Sequence, residues 1–147
     1  MMENIGLLSL YFFICYCVVT WIGIIHTIFN IKVLHYKSMK ESPGLGEGYE
    51  KTKPWHPLYN IVFFSLFGWI YMRGISEPNI SIAIKAGSLW AVVCIVLDYI
   101  GWVLIPHPWK LTHKEFYIDY QPWISMIYLA IFMGPIIGYI GRLYWFI

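Results

Sequence analysis

Apolar residues run with little interruption through four stretches of the chain, about 5–31, 58–73, 80–105 and 122–141, and most charged residues fall in the segments between them. A helix crossing a hydrocarbon core of about 30 Å needs roughly 20 apolar residues, with roughly 17 to 25 tolerated. The pattern therefore predicts an all-α membrane protein, a bundle of four transmembrane helices arranged as two short helical hairpins. The second span is short, so Arg73 at its end must snorkel toward the headgroups. In the third, Lys85 stands one turn in, which moves the start of the hydrocarbon span to about Ala86. Four spans leave too little chain for a soluble domain, and residues 1–147 read as a single transmembrane domain. The N-terminal run is expected to persist as the first helix rather than be removed as a secretory signal. It is too long, Glu3 is its only early charge, and no small-residue cleavage motif follows.

Composition agrees with this solvent. The chain is 59% hydrophobic, 20% aromatic and 12% charged, where a soluble domain carries about twice that charge. The ten basic residues are too few and scattered for a nucleic-acid partner, and no Walker loop, dinucleotide fingerprint, Gly-x-Ser-x-Gly elbow or haem-attachment motif is present. No cofactor is expected. Abundant Ile, scarce Ala and eight Lys against two Arg fit an AT-rich bacterial genome.

Orientation follows from Lys and Arg in the short connections. Lys32, Lys37, Lys40, Lys51 and Lys53 lie in the first loop, and Lys110 and Lys114 in the third; Arg73, Lys85 and Arg142 lie on the other side. Loops 32–57 and 106–121 are thus expected in the cytoplasm, with both termini outside, in a multi-pass protein of the cell membrane. Pro54-Trp55, Pro108-Trp109 and Pro122-Trp123 all fall on the predicted cytoplasmic side, where proline suits a helix start and tryptophan the headgroup zone. They give the only sign of a weak two-plus-two repeat. The stretch from Ser42 and Pro43 through Gly44, Gly46 and Gly48 is expected as a flexible connector.

Helices in lipid gain little by burying apolar surface against one another, so close packing and hydrogen bonds must join them. Gly134 and Gly138 form a small-xxx-small pair on the last helix, with Pro135 expected to kink it. Two uses are open: a contact with a neighbouring helix of the same chain, or a homo-oligomer or other membrane-protein partner. Gly68, Gly87 and Gly101 are expected to make similar contacts. Membrane lipids are the other expected partner.

Polar residues inside the spans are costly and mark candidate sites. His26 and Asp98 each lie about seven residues from the predicted cytoplasmic end of their helix, roughly 10 Å deep, and so are expected to meet. Asn30 shares a face with His26, and Asn60 opens the second span at a similar level. His56, His113, Glu115 and Asp119 stand in the flanking loops. Ligand-binding candidates are His26, Asn30, Asn60, Asp98, His56 and His113; catalytic candidates are Asp98, His26, Glu115 and Asp119. The spacing matches no strong metal signature, and no metal site is assigned. Loop three is read mainly as a solvated amphipathic segment with Trp109, Phe116 and Trp123 dipping into headgroups. Cys15, Cys17 and Cys94 lie within spans, with no Cys-x-x-Cys, and are read as buried fillers. The eight Trp and twelve Tyr can form belts and packing, or line a pocket for an isoprenoid or sterol-like ligand, including a cation over their rings.

The expected function is a small non-catalytic membrane protein, accessory or ligand-binding, with a polar pocket open to the cytoplasm. The alternative is a membrane-embedded enzyme acting on a lipid or isoprenoid head group, with a proton or cation carrier as a third reading.

Overall fold

A computed structural model describes residues 4–42, 44–107 and 109–144. Glu3, Pro43 and Pro108, used above for the N-terminal reading, the connector and one Pro-Trp pair, lie outside the described residues. The long helices are α1 (Ile5–Lys32), α3 (His56–Arg73), α4 (Ile80–Asp98) and α5 (Trp123–Tyr144). A short helix, α2 (Glu47–Thr52), leads through the turn Lys53–Trp55 into α3. Beyond Asp98, α4 widens into a π-helical stretch, Tyr99–Leu104, and a second π turn, Glu115–Asp119, precedes α5. No strand occurs among the described residues, and the all-helical class read from the sequence holds.

Three helices are long and apolar enough to cross a membrane: α1, Ile80–Leu104 and α5. Only 22%, 28% and 39% of their most apolar windows are buried inside the protein, so their outer faces have apolar surface to give to lipid. Trp21, Ile25, Val92 and Leu129 are among the exposed large side chains, an arrangement that would be a liability in water. α3 is less apolar because it begins at His56 and carries Asn60, Ser65 and Arg73.

Where these helices touch, small residues set the distance. A Cβ added to Gly68 would fall 2.6 Å from the Cα of Pro135, and one added to Gly134 would fall 2.6 Å from Phe64 Cβ. At Gly138 it would collide with the Trp69 backbone nitrogen, and at Gly87 with the Phe132 carbonyl. The small-residue face of α5 is thus used within the chain against α3, while Gly87 brings α4 against another side of α5. Gly101 departs from expectation: nothing lies within 4 Å of its added Cβ, because the π-helical turn carries it away from the other helices. Pro135 is accommodated inside α5, buried against α3.

Phe12, Phe64, Tyr71, Met72 and Trp90 form the main core, and a second cluster of Leu45, Val103, Leu111, Phe116 and Ile124 lies at the loop end. The glycine-rich connector is packed rather than free. Leu45 is buried in that second cluster, and Gly46 adopts φ 81°, where its added Cβ would lie 2.6 Å from the Met39 nitrogen. Phe116, expected to dip into headgroups, is buried as well, because loop three folds back over the end of α4. At the opposite end, Arg142 of α5 donates to the Met72 and Ile75 carbonyls that close α3.

Overpacking a close helix crossing typically costs about 1 to 3 kcal/mol. Gly134→Val is expected to lower stability by about that amount in reversible denaturation from mixed micelles, whereas Gly101→Ala should stay within about 0.5 kcal/mol of the parent. Equal losses at the two positions would contradict the crossing described.

Candidate functional site

α1 and α4 run parallel with a fixed offset. Trp90 Nε1 donates to the Leu8 carbonyl at 3.1 Å and Tyr16 Oη donates to Asp98 Oδ1 at 2.8 Å, both across a separation of 82 positions. Carried to His26, the same offset falls beyond Leu104, where the helix ends. The expected meeting of His26 and Asp98 is therefore not found: no hydrogen bond or ion pair joins them among the described residues. The depth estimate failed because it assumed that α1 and α4 end at the same level, whereas α1 extends past the end of α4 by more than two turns. His26 instead pairs through Nδ1 with Tyr59 Oη at 2.6 Å, beside the Trp55 ring.

Asp98 closes the α-helical part of α4 and is buried. Its second oxygen accepts from Cys94 Sγ at 3.5 Å, one turn back. Cys94 is thus a buried donor as well as a filler; Cys15 is also buried, whereas Cys17 is exposed. The Tyr128 hydroxyl lies within electrostatic reach of Asp98 and Tyr117 but makes no hydrogen bond of normal geometry. π-helical segments recur at functional sites in proteins, and one begins at the residue after Asp98. Its terminal carbonyls have no helical partner, and loop three supplies them: Leu111 N–H donates to the Trp102 oxygen at 2.9 Å, and His107 Nε2 meets the Gly101 oxygen at 2.8 Å.

Between α1, the start of α3, the end of α4 and the start of α5 lies a cavity of about 480 Å³, within the range of small-molecule sites. Asp98, Cys94, Asn60, His56, Tyr16 and Tyr49 supply its polar edges; Trp102, Trp109, Phe116 and Trp123 supply much of its aromatic wall. Thr20, Ile24 and Ile28 line it and are also exposed on the outside of α1, so the cavity opens sideways along that helix. Gly23 makes room for His56, whose Nε2 would stand 3.2 Å from an added Cβ. That nitrogen is buried and without a hydrogen-bond partner among the described residues. Asn60 uses its amide to donate to the His56 carbonyl at 2.8 Å.

Of the six ligand-binding candidates, the structure brings Asp98, Asn60 and His56 to this cavity. Asn30 belongs to a separate buried clamp: its Nδ2 donates to the Gly48 carbonyl at 3.1 Å and to Thr52 Oγ1 at 3.0 Å, with Thr27 joining Thr52 at 3.1 Å. This clamp fastens α2 to α1. His113 lies against the Tyr99 and Tyr117 rings. Glu115 and Asp119 are exposed, away from Asp98. The Thr112 N–H and hydroxyl both donate to Glu115 at 2.7 Å and hold its carboxyl below the usual range, and Asp119 lies 3.7 Å from Lys114. No group of three His, Cys, Asp or Glu side chains able to hold a metal occurs among the described residues.

The residues missed from sequence are Tyr16, Tyr49, Gly23 and Trp102. An aromatic-lined pocket was legible from composition, but nothing in the local sequence separates a pocket tyrosine from a belt tyrosine. Neither a family model, nor a curated protein, nor a solved structure matches this chain.

His56 stands before the apolar run of α3, and its imidazole is held down to about 4 from an ordinary 6.5 by burial, then by His26 and Lys53 nearby. The neutral ring is the folded form. An unfolded chain binds that proton first as pH falls, so this histidine's contribution to stability is complete above about 6.5 and is lost progressively as pH drops toward 4. Nitrogen NMR of labelled histidine should show one ring titrating near 4; a His56 midpoint at the ordinary value would contradict its desolvated placement.

Proposed function

We propose that the protein is a non-catalytic, ligand-binding integral membrane protein whose cavity takes a small amphiphile from the membrane. The carrying observation is the sideways-opening, aromatic-walled cavity with one buried carboxylate at its edge. A soluble ligand would need an aqueous mouth, whereas here exposed apolar residues of α1 frame the opening. The binding reading is preferred to the lipid-modifying one because the loop-three carboxylates make their own local contacts and His26 bonds Tyr59 rather than Asp98. In this proposal α3 is the fourth span, making a four-helix transmembrane bundle; its 18 residues extend about 27 Å. Loops 32–57 and 106–121 face the cytoplasm and the termini face outward, on the Lys and Arg distribution.

A brominated phenylalkane that quenches tryptophan tests the cavity directly. In lipid nanodiscs, after subtraction of lipid partitioning, quenching should saturate, and filling the site with Val19→Phe and Ile127→Phe should raise the probe's apparent Kd about tenfold or more. Identical, non-saturating quenching in both proteins would overturn the proposal. Topology has its own check. A single reactive cysteine at Lys40, an exposed position of loop one, in a background lacking the native cysteines, should resist an impermeant thiol reagent in intact cells, while one beside Asn79 should react. The reverse pattern would invert the orientation.

A further inference from the structure

The ligand's chemistry can be read from what surrounds Asp98. Both carboxyl oxygens face protein donors, Tyr16 Oη at 2.8 Å and Cys94 Sγ at 3.5 Å. Donors on both oxygens lower the cost of an anionic carboxylate, while burial by itself favours the neutral acid, so the anion persists only where something else stabilises it. An anion buried among apolar and aromatic groups then needs a positive partner, because leaving it unpaired is expensive. Among the described residues Asp98 makes no ion pair with a protein cation, while Lys53 pairs with Glu50 and Lys114 with Asp119. Lys53, the cation at the cavity's loop end, is already held 2.7 Å from Glu50 and 3.8 Å from the Tyr120 ring centre. His26 bonds Tyr59, and the desolvated His56 ring is neutral.

The space beside Asp98 suits an organic cation better than a bare ion. With no group of three His, Cys, Asp or Glu side chains among the described residues, the surroundings of Asp98 make a poor metal site, and a volume of about 480 Å³ accommodates an apolar body as well as a charge. Tyr16, Trp102 and Trp123 line this space, and aromatic rings stabilise an ammonium or its alkyl substituents once water is excluded. His56 Nε2, buried and unpartnered, offers a further contact to a ligand group.

We propose that the cavity binds an amphiphile bearing a protonated amine, with its ammonium paired to Asp98 and its apolar body against the aromatic wall. This rests on the ligand-binding reading above and narrows it to a class. The same chemistry is available in a free alkylamine and in the ammonium headgroup of an ethanolamine lipid.

The test is competition against the brominated phenylalkane in nanodiscs made only of phosphatidylglycerol. Two competitors of the same shape are compared, a dimethylamine on a phenylbutyl chain and its uncharged isopropyl isostere, each corrected for partitioning into protein-free discs. The amine should displace the probe about tenfold more tightly than the isostere. Asp98→Asn should abolish that preference, with its fold checked by an unchanged helical circular-dichroism spectrum and a monodisperse size-exclusion profile; Asp98→Glu should retain part of it. Equal affinities for amine and isostere in the parent protein, or a preference that survives Asp98→Asn, would overturn the ammonium assignment while leaving the cavity reading intact. Failure of the probe itself to bind would remove both. Repeating the titration with phosphatidylethanolamine included identifies the source: a weakened apparent amine affinity supports a lipid headgroup at Asp98, and an unchanged one supports a free amine.

Discussion

In lipid, a helix cannot be held to its neighbour by excluding water, so backbone proximity becomes the main source of cohesion. Here that proximity is concentrated on α5. Gly134 and Gly138 admit α3, Gly68 returns the contact from the other side, and Gly87 brings α4 against the Phe132 carbonyl. Helix α1 has no comparable contact with α4. It reaches that helix through long side chains, Tyr16 to Asp98 and Trp90 to the Leu8 carbonyl. The cavity lies where α1, packed against α3, stands off from α4 at side-chain length.

Two polar groups near the same end of the molecule show how differently such residues can be used. Asn30, Thr27, Thr52 and the Gly48 carbonyl satisfy one another in a buried network, which is the signature of a fastening. Asp98, His56 and Asn60 instead edge open volume, and His56 leaves a buried nitrogen unused. Desolvating a polar atom without a partner costs free energy that a purely structural contact would not need to spend.

How much of this was legible from sequence depended on the scale of the signal. The apolar runs located the long helices to within a few residues, since roughly twenty successive side chains bear on each boundary. Asp98 and Asn60 were singled out because a polar side chain in an apolar run stands out against its background, and His56 as a titratable side chain of the flanking loop; the structure places all three at the cavity. Register was not legible. Whether α1 ends level with α4 depends on the parallel offset fixed by Tyr16 and Trp90, and neither tyrosine nor tryptophan announces its partner, so His26 was matched to the wrong helix. Gly101 failed for a related reason: the sequence records a small residue, while the π-helical turn that aims it away from its neighbours is set by tertiary packing. Loop one misled in the other direction, because its glycines permit the tight approach of Gly46 to Met39 rather than freedom of the chain.

The two ends of the molecule differ for the same physical reason. At the end carrying Arg73 and Arg142, the crossing of α3 and α5 is tight, and the Met72 and Ile75 carbonyls accept from Arg142. At the end carrying the lysine-rich loops, α4 unwinds into a π segment whose carbonyls are met by loop three, and Leu45 from loop one packs into the same cluster. The loops thereby cover the cavity from the polar side, through Met39, Tyr49, Trp109 and Phe116, while the exposed faces of Thr20, Ile24 and Ile28 leave it open along α1. Under the proposed function, a chamber covered by the loops and open along α1 selects first by partition, favouring molecules already concentrated in the membrane, and the buried carboxylate then discriminates among amphiphiles rather than among all solutes.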